Sequence, residues 1–207
     1  MLRVVVGGPW YRTQIDTRAM VSIVALVVDA PRCGAAVVKL AGQDGLLDMS
    51  RNRLLDDAIR SGADWFLSLD ADCSIVNPRT VYAALHDARR QDVALVGFPA
   101  LEGSGRLNVV GLDCQRLAAP PAGQLEVSRV GFGAVAFRLG WYATHWPRDL
   151  PYCHTLPARD EHGRWGAIGE DFGHCLEVRR LKGRVLVDGR VVVQHHMSRA
   201  GSVEAQP

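Results

Sequence analysis

The stretch WFLSLDADCSI, residues 65–75, joins an apolar run directly to two carboxylates. The run, residues 65–69, is short, aromatic-rich and nearly continuous, which is typical of a strand buried on both faces in a mostly parallel sheet. Asp70 and Asp72 follow it at once. Because an unpaired carboxylate is costly to bury, we expect both side chains to lie where the strand leaves the sheet.

The spacing of Asp70 and Asp72 places both side chains on one side of an extended chain. Two carboxylates at the carboxyl end of a central strand suit a hard divalent cation, and ligands of open α/β sheets bind in the crevice at that end. The alternative interpretation is a polar turn or a helix cap, as at Asn77, where Pro78 begins a new helix.

Length and composition indicate one α/β domain. The chain has 207 residues, 48% of them hydrophobic, and a formal charge of +2, which is too small to indicate a nucleic-acid partner. The five cysteines are scattered without a Cys-x-x-Cys pair, so we expect reduced thiols rather than disulfides or a zinc knuckle. No apolar run is long enough for a membrane span, and strand residues follow Met1 at once, so we expect no signal peptide and a cytoplasmic location.

Strand and helix patterns alternate through the first half of the chain, which predicts a doubly wound parallel arrangement with right-handed crossovers. The predicted elements are, in order, a strand at 3–7, a helix at 16–29, a strand at 35–40, a helix at 48–61 capped by Asp48, the strand at 65–69, a helix at 78–90 and a strand at 93–97.

The second half is less regular. Residues 147–169 lack periodicity, and a loop of that length in a compact domain is usually functional or mobile. Two glycines begin the predicted strand at 130–137, which indicates a close approach to its backbone. The other predicted elements are a hairpin-like excursion at 102–124, a helix at 140–146, a helix from Glu170 to about 181, and strands at 184–188 and 190–194.

Several polar features fall on loops that face one crevice. Arg51 is predicted in the first turn of a helix, where a basic side chain opposes the macrodipole unless an anion lies at that helix end. Glu170 and Asp171 begin another helix, and His195-His196 ends the last strand. The alternatives are a solvated surface arginine, an ordinary acidic first turn and structural imidazoles.

The order of these motifs resembles the nucleotide-sugar glycosyltransferases of the GT-A fold, close to the large inverting family 2 and its small bacterial and phage branch. The resemblance rests on the Pro9 loop, Ser-Arg-Asn at 50–52, Asp-Ala-Asp at 70–72, Gly-Glu-Asp-Phe at 169–172 and the strand ending in His195. It implies a Rossmann-like, mostly parallel sheet with helices on both faces and a smaller mixed C-terminal acceptor part.

Within that single domain the resemblance implies a nucleotide-sugar-binding half at 1–99, an acceptor and catalytic half at 100–197, and a tail at 198–207. It implies Mn²⁺ or Mg²⁺ held by Asp72, with Asp70 nearby and either His195 or His196, where imidazole favours Mn²⁺. Asp171 would be the inverting base, with Glu170 as the alternative. It assigns donor contacts, to a UDP-sugar above all, to Pro9, Trp10, Tyr11, Asp44, Arg51, Asn52, Asp70, Ala71 and Trp165.

Two other functions and several acceptors stay open. A nucleotidyltransferase shares the paired acids, but usually carries a basic, glycine-rich loop after its first strand, whereas residues 7–10 are Gly-Gly-Pro-Trp. A non-catalytic nucleotide-sugar-binding module would have no reason to keep three acids in register. The acceptor could be a saccharide, a lipid-linked sugar, a peptide, a small metabolite or a modified base in phage DNA.

Overall fold

The architecture comes from a computed structural model that describes residues 1–10, 15–43, 45–89, 91–101, 106–159 and 164–196. The helices are α1 (Thr17–Asp29), α2 (Leu47–Arg60), α3 (Pro78–Arg89), α4 (Leu139–His145) and α5 (Glu170–Arg180). The first strands are β1 (Leu2–Pro9), β2 (Ala35–Gln43), β3 (Trp65–Leu69), β4 (Cys73–Ile75), β5 (Leu95–Gly97) and β6 (Val109–Val110). The later strands are β7 (Gln124–Glu126), β8 (Arg129–Val130), β9 (Ala134–Arg138), β10 (Leu156–Arg159), β11 (Trp165–Ile168), β12 (Val185–Asp188) and β13 (Val193–His195).

Seven strands form the central sheet in the order β2-β1-β3-β9-β5-β12-β7. β2, β1, β3, β5 and β12 run in one direction, while β9 and β7 are antiparallel to their neighbours. The predicted mostly parallel sheet is therefore confirmed, and the strands of the first half share one direction in it. β9 from the second half inserts between β3 and β5.

Helices cover both faces of this sheet. Side chains of α1 and α3 pack with alternate residues of β1 and β3 in one apolar cluster, and side chains of α2, α4 and α5 pack with the remaining residues in a second. All five residues of β3 are buried, as its apolar sequence predicts. None of the helices among the described residues is long and apolar enough to cross a lipid bilayer.

The helix starts differ from the prediction at one point. Asp16 caps α1, and its carboxylate accepts a hydrogen bond from the Arg18 backbone N–H at 2.8 Å. Asp48 does not cap α2, which begins at Leu47 after an uncapped Leu46. Arg51 therefore lies in the second turn of α2, not in the first.

The stretch predicted as a loop at 147–169 contains the antiparallel hairpin of β10 and β11. The predicted strand at 130–137 is divided into β8 and β9, and its first residues pair with β6 instead of the central sheet. The last predicted strand appears as β13, which leaves the central sheet and pairs with β4. That last pairing builds the candidate site.

Candidate active site

The carboxyl end of β3, the start of β4 and the start of α5 surround a cleft with a volume of about 340 Å³. The side chains with reactive or charged groups that line it are Arg51, Asp70, Cys73, Glu170, Asp171 and His195. The structure thus brings together three of the predicted acids, one of the two predicted histidines and the predicted arginine, as expected for ligand sites in open α/β sheets. Asp72 is not a lining residue of this cleft and lies beside it, next to His195.

The pairing of β13 with β4 places His195 opposite Cys73 and next to Asp72. The imidazole Nε2 of His195 lies 2.9 Å from Asp72 Oδ2. His196 has a different neighbour, since its Nε2 lies 2.6 Å from Ser74 Oγ. Of the two adjacent histidines, His195 is therefore the one placed beside the Asp72 carboxylate.

Asp70, predicted as a second metal ligand, is bound to Arg51. The Arg51 guanidinium donates from Nη2 to both Asp70 oxygens, at 2.8 and 3.0 Å, and from Nη1 to Glu170. Arg51 is buried, with only 5% of its surface exposed, and lies over the ring of Phe132 at 5.5 Å. Because Arg51 lies in the second turn of α2, its position does not by itself require an anion at the helix start. Two protein carboxylates bind its guanidinium, and contact with a donor diphosphate stays a prediction.

Asp171 sits beside this network without sharing it. Its Oδ1 accepts a hydrogen bond from the Phe172 backbone N–H at 2.6 Å. Burial raises the pKa of Asp171, and this outweighs the opposing effect of that hydrogen bond and of Arg51. A raised pKa suits a general base that works near neutral pH.

Three donor atoms of different types meet at the start of β4. A carboxylate oxygen of Asp72, the thiol of Cys73 and an imidazole nitrogen of His195 lie within 4.8 Å of one another. Oxygen and imidazole donors fit the Mn²⁺ or Mg²⁺ that the sequence predicts. The sequence did not indicate Cys73, because the residue carries no metal-binding spacing of its own.

Three residues that were predicted to contact the donor, Pro9, Trp10 and Ala71, do not line the cleft and contact other parts of the protein. The Trp10 indole N–H donates to the Leu69 carbonyl at 3.2 Å, and the Trp10 ring lies where a Cβ on Gly42 would be only 2.4 Å away. Pro9 ends β1 beside it. The Ala71 carbonyl accepts from the Asp16 backbone N–H at 2.8 Å. These positions flank the carboxyl ends of β1 and β3, and their role stays a prediction.

Asn52 and Trp165 do not line the cleft. The Asn52 side chain donates to the Cys153 carbonyl at 2.7 Å and accepts from the Cys153 backbone N–H at 2.8 Å, so its amide holds the segment before β10. Trp165 on β11 is 70% exposed and stacks with the Arg159 guanidinium at 4.2 Å. Two further predicted contacts, Tyr11 and Asp44, lie outside the described residues.

Sequence reasoning missed Phe132 and Asn108, which also line the cleft. The signal that could have found them is the pair of glycines before β9. A Cβ on Gly131 would lie 2.7 Å from the Asn108 side-chain nitrogen, and one on Gly133 would lie 3.1 Å from Cys73 Sγ. The predicted close approach to this backbone is therefore confirmed, and the approaching groups are side chains of the cleft.

No protein-family model matches the sequence, and no curated protein matches it. Among solved structures, A197 from STIV superposes with a TM-score of 0.61 at 14% identity, over 96% of this chain and 87% of that one. GalNAc-T7, crystallised with UDP, GalNAc and Mn²⁺, superposes with a TM-score of 0.53 at 12% identity, over 94% of this chain and 44% of that one. The chain therefore has a GT-A-like fold, as the sequence predicted.

Proposed function

We propose that this protein is a metal-dependent glycosyltransferase that moves a sugar, with inversion, from a nucleoside-diphosphate sugar to an acceptor hydroxyl. The observation that carries the proposal is the β4–β13 pairing, which places His195 Nε2 2.9 Å from Asp72 Oδ2. His195 and Asp171 both line the cleft. The fold supports it, and GalNAc-T7, a structural neighbour, was crystallised with UDP and Mn²⁺.

Asp72 and His195 would hold the cation. A bound Mn²⁺ or Mg²⁺ would offset the negative charge of the diphosphate as the sugar leaves. Asp70 is less available for this role, because Arg51 neutralises its carboxylate through two hydrogen bonds. Of the two metals, imidazole coordination favours Mn²⁺.

Asp171 would accept the proton of the acceptor hydroxyl. The acceptor oxygen then forms its bond to the anomeric carbon from the face opposite the diphosphate, which departs with the electron pair of the broken bond. Glu170, the alternative base, is bound to the buried Arg51 guanidinium. A carboxylate held in that way is a weaker proton acceptor, so the arrangement favours Asp171.

A panel of nucleotide sugars, incubated with Mn²⁺ and simple acceptors, tests this function. We expect the parent protein to cleave one donor, a UDP-sugar first, and Asp72→Asn to lose that activity. The control is Asp92→Asn, which changes an exposed carboxylate. Asp92 precedes β5 and so lies at the amino ends of the parallel strands, whereas the cleft lies at their carboxyl ends. Incorporation of a nucleotide into the product would instead support the nucleotidyltransferase alternative, and absence of turnover with retained nucleotide binding would support a binding module.

A further inference from the structure

Cys73 is a thiol at a position where the proposed function needs none. It is the first residue of β4, follows Asp72 directly and faces the cleft, although only 2% of its surface is exposed. Its Sγ lies 3.7 Å from Asp72 Oδ1. The absence of a side chain at Gly133 leaves room for the sulfur, since a Cβ there would lie 3.1 Å from Sγ.

We propose that Cys73 joins Asp72 and His195 in a cleft site that binds thiophilic divalent cations, Zn²⁺ foremost. The proposal rests on the metal site of the proposed function, because the two share Asp72 and His195. It adds a sulfur ligand, and it implies that Zn²⁺ and Mn²⁺ compete for one position at the start of β4.

Two separations between the donor atoms can be compared with those around a tetrahedral ion. With Zn–S of about 2.3 Å and Zn–O and Zn–N of about 2.0–2.2 Å, tetrahedral angles place sulfur about 3.6 Å from oxygen, and nitrogen about 3.4 Å from oxygen. The corresponding distances are 3.7 Å from Cys73 Sγ to Asp72 Oδ1 and 2.9 Å from His195 Nε2 to Asp72 Oδ2. The first distance matches the tetrahedral value, whereas the second is about 0.5 Å shorter, and the two distances end on different oxygens of Asp72. A common ion would therefore require the carboxylate to rotate and the imidazole to move away from it by about half an ångström.

Metal binding would replace the S–H bond of Cys73 with a sulfur–metal bond. Burial, together with the charges of Asp70 and Asp72, raises the pKa of Cys73, so the sulfur carries a proton before the cation arrives. As the cation binds, the S–H bond breaks, a sulfur–metal bond forms from the thiolate electron pair, and the proton leaves to solvent. No oxidant or reductant takes part.

Metal preference follows from the donor set. Zn²⁺ exceeds Mn²⁺ in general affinity for nitrogen, oxygen and sulfur sites, and a thiolate widens that difference, whereas Mn²⁺ and Mg²⁺ use the oxygen and imidazole ligands. We therefore expect Cys73→Ser to weaken Zn²⁺ and Co²⁺ binding by about tenfold or more, and to change Mn²⁺ binding by less than about threefold.

Cobalt is the probe for the test, because a Co²⁺–thiolate bond gives a near-ultraviolet charge-transfer band that oxygen and nitrogen ligands do not give. The reduced, metal-free protein is titrated with Co²⁺ and then with Zn²⁺, which should displace the cobalt and bleach the band. Cys73→Ser should lack the band. Cys33→Ser and Cys114→Ser, which remove more accessible thiols, are the matched controls and should keep it.

The parent spectrum alone can overturn the proposal, so the test does not depend on the folding of a variant. A parent protein that binds Co²⁺ without a charge-transfer band, or a band that survives in Cys73→Ser, contradicts it. If that happens while Mn²⁺ still promotes UDP binding, the thiophilic site is wrong and the glycosyltransferase proposal stands. If the band appears but no nucleotide binds with any metal, the metal site stands and the proposed function is wrong.

Discussion

Arg51 is the residue that joins three elements of the cleft. Its buried guanidinium binds Asp70 after β3 and Glu170 at the start of α5, while its own backbone belongs to α2. Removal of the Arg51 guanidinium would leave the two partly buried carboxylates without their ion-pair partner. Loss of one member of a buried ion pair typically costs about 3–5 kcal/mol, and partial exposure of the two acids lowers the expected cost to about 2–3 kcal/mol.

We therefore expect Arg51→Met to lower the free energy of unfolding by about 2–3 kcal/mol in urea denaturation at pH 7. The matched control is Arg60→Met, near the end of the same helix, where an exposed guanidinium pairs with Asp56 and Asp57. Its loss should change the free energy by about 0.5 kcal/mol or less. Equal effects of the two variants would show that the Arg51 network does not stabilise the fold.

Asp171 is the residue on which the proposed chemistry depends. Asp171→Asn keeps the size of the side chain and its ability to accept from the Phe172 N–H, but removes the base. We expect donor affinity to stay within about threefold and the transfer rate to fall by about a hundredfold to ten-thousandfold, the usual contribution of a positioned base.

The control for Asp171 is Glu177→Gln on the same helix, where the carboxylate pairs with Arg180. Donor affinity comes from calorimetry, the rate from product formation, and the anomeric configuration from NMR. Transfer at the parent rate by Asp171→Asn, or retention of the donor configuration, would rule out Asp171 as the inverting base.

At the scale of elements, α5 is anchored by a buried imidazole. His174 lies among the rings of Phe132, Tyr142 and Trp146, and its Nδ1 is 2.5 Å from the Tyr152 carbonyl. Because a carbonyl can only accept, Nδ1 carries the proton and Nε2 accepts from the Tyr142 hydroxyl at 2.7 Å. Burial lowers the pKa of His174 from 6.5 to about 4.

This pKa predicts acid sensitivity. Below pH 6.5 the unfolded chain binds a proton at His174 that the folded chain does not bind until about pH 4. The neutral imidazole therefore stabilises the fold fully above pH 6.5, and about 3 kcal/mol of this stability is lost as the pH falls to 4. His174→Gln, which can keep both hydrogen bonds, should show a smaller loss over that range.

Denaturation curves at pH 7 and pH 4 measure this effect. Val178→Ala on the same buried side of α5 is the control, because it should lower the free energy of unfolding equally at both pH values. If His174→Gln and the parent protein lose the same amount between pH 7 and pH 4, the imidazole does not account for the acid sensitivity.

The β10–β11 hairpin is the element that we expect to respond to the donor. It directly precedes the start of α5 and carries Trp165, the most exposed of the five tryptophans. We expect the hairpin to close over a bound donor, as lids of many transferases do. Acrylamide quenching of tryptophan fluorescence should then fall when UDP and Mn²⁺ are added.

Trp165→Phe should abolish most of that change in quenching, whereas Trp141→Phe, which alters a buried ring of α4, should keep it. Protease cleavage within residues 147–169 should slow under the same conditions. Unchanged quenching and cleavage in the presence of saturating nucleotide and Mn²⁺ would contradict closure of the hairpin.

The elements that could be read from the sequence are those with strong local patterns. β3 is a continuous apolar run, and α1, α2 and α3 carry apolar stripes at helical spacing. β10 and β11 were missed because most of their residues are exposed, and their sequences, which include Pro157 and Gly166, do not alternate between apolar and polar residues. The three residues of β4 carry too short a pattern to mark a strand.

At the scale of the whole molecule, the strand order depends on contacts between distant parts of the chain. The insertion of β9 between β3 and β5 pairs Phe66 with Phe137 across 71 positions, and no local pattern encodes that choice. Asp70 and Asp72 could be predicted as site residues because both directly follow one strand that the sequence marks clearly. The choice between His195 and His196 and the Arg51 network needed the folded chain, because both depend on which elements meet.

The central claim is that the fold binds a nucleoside diphosphate through a cation held by Asp72 and His195. Without the cation, the diphosphate would face several carboxylates in one cleft and would be repelled. The claim therefore concerns the charge balance of the whole cleft, and it can be tested before the acceptor is known.

Calorimetric titration of UDP into the protein, with Mn²⁺ and with EDTA, tests this claim most directly. The parent protein and the Asp92→Asn control should bind UDP in Mn²⁺ and should lose about tenfold or more in affinity in EDTA. Asp72→Asn and His195→Gln should bind weakly in both buffers. Equal UDP affinity of the parent protein with and without the cation, or unchanged Mn²⁺-dependent affinity in Asp72→Asn, would contradict the account.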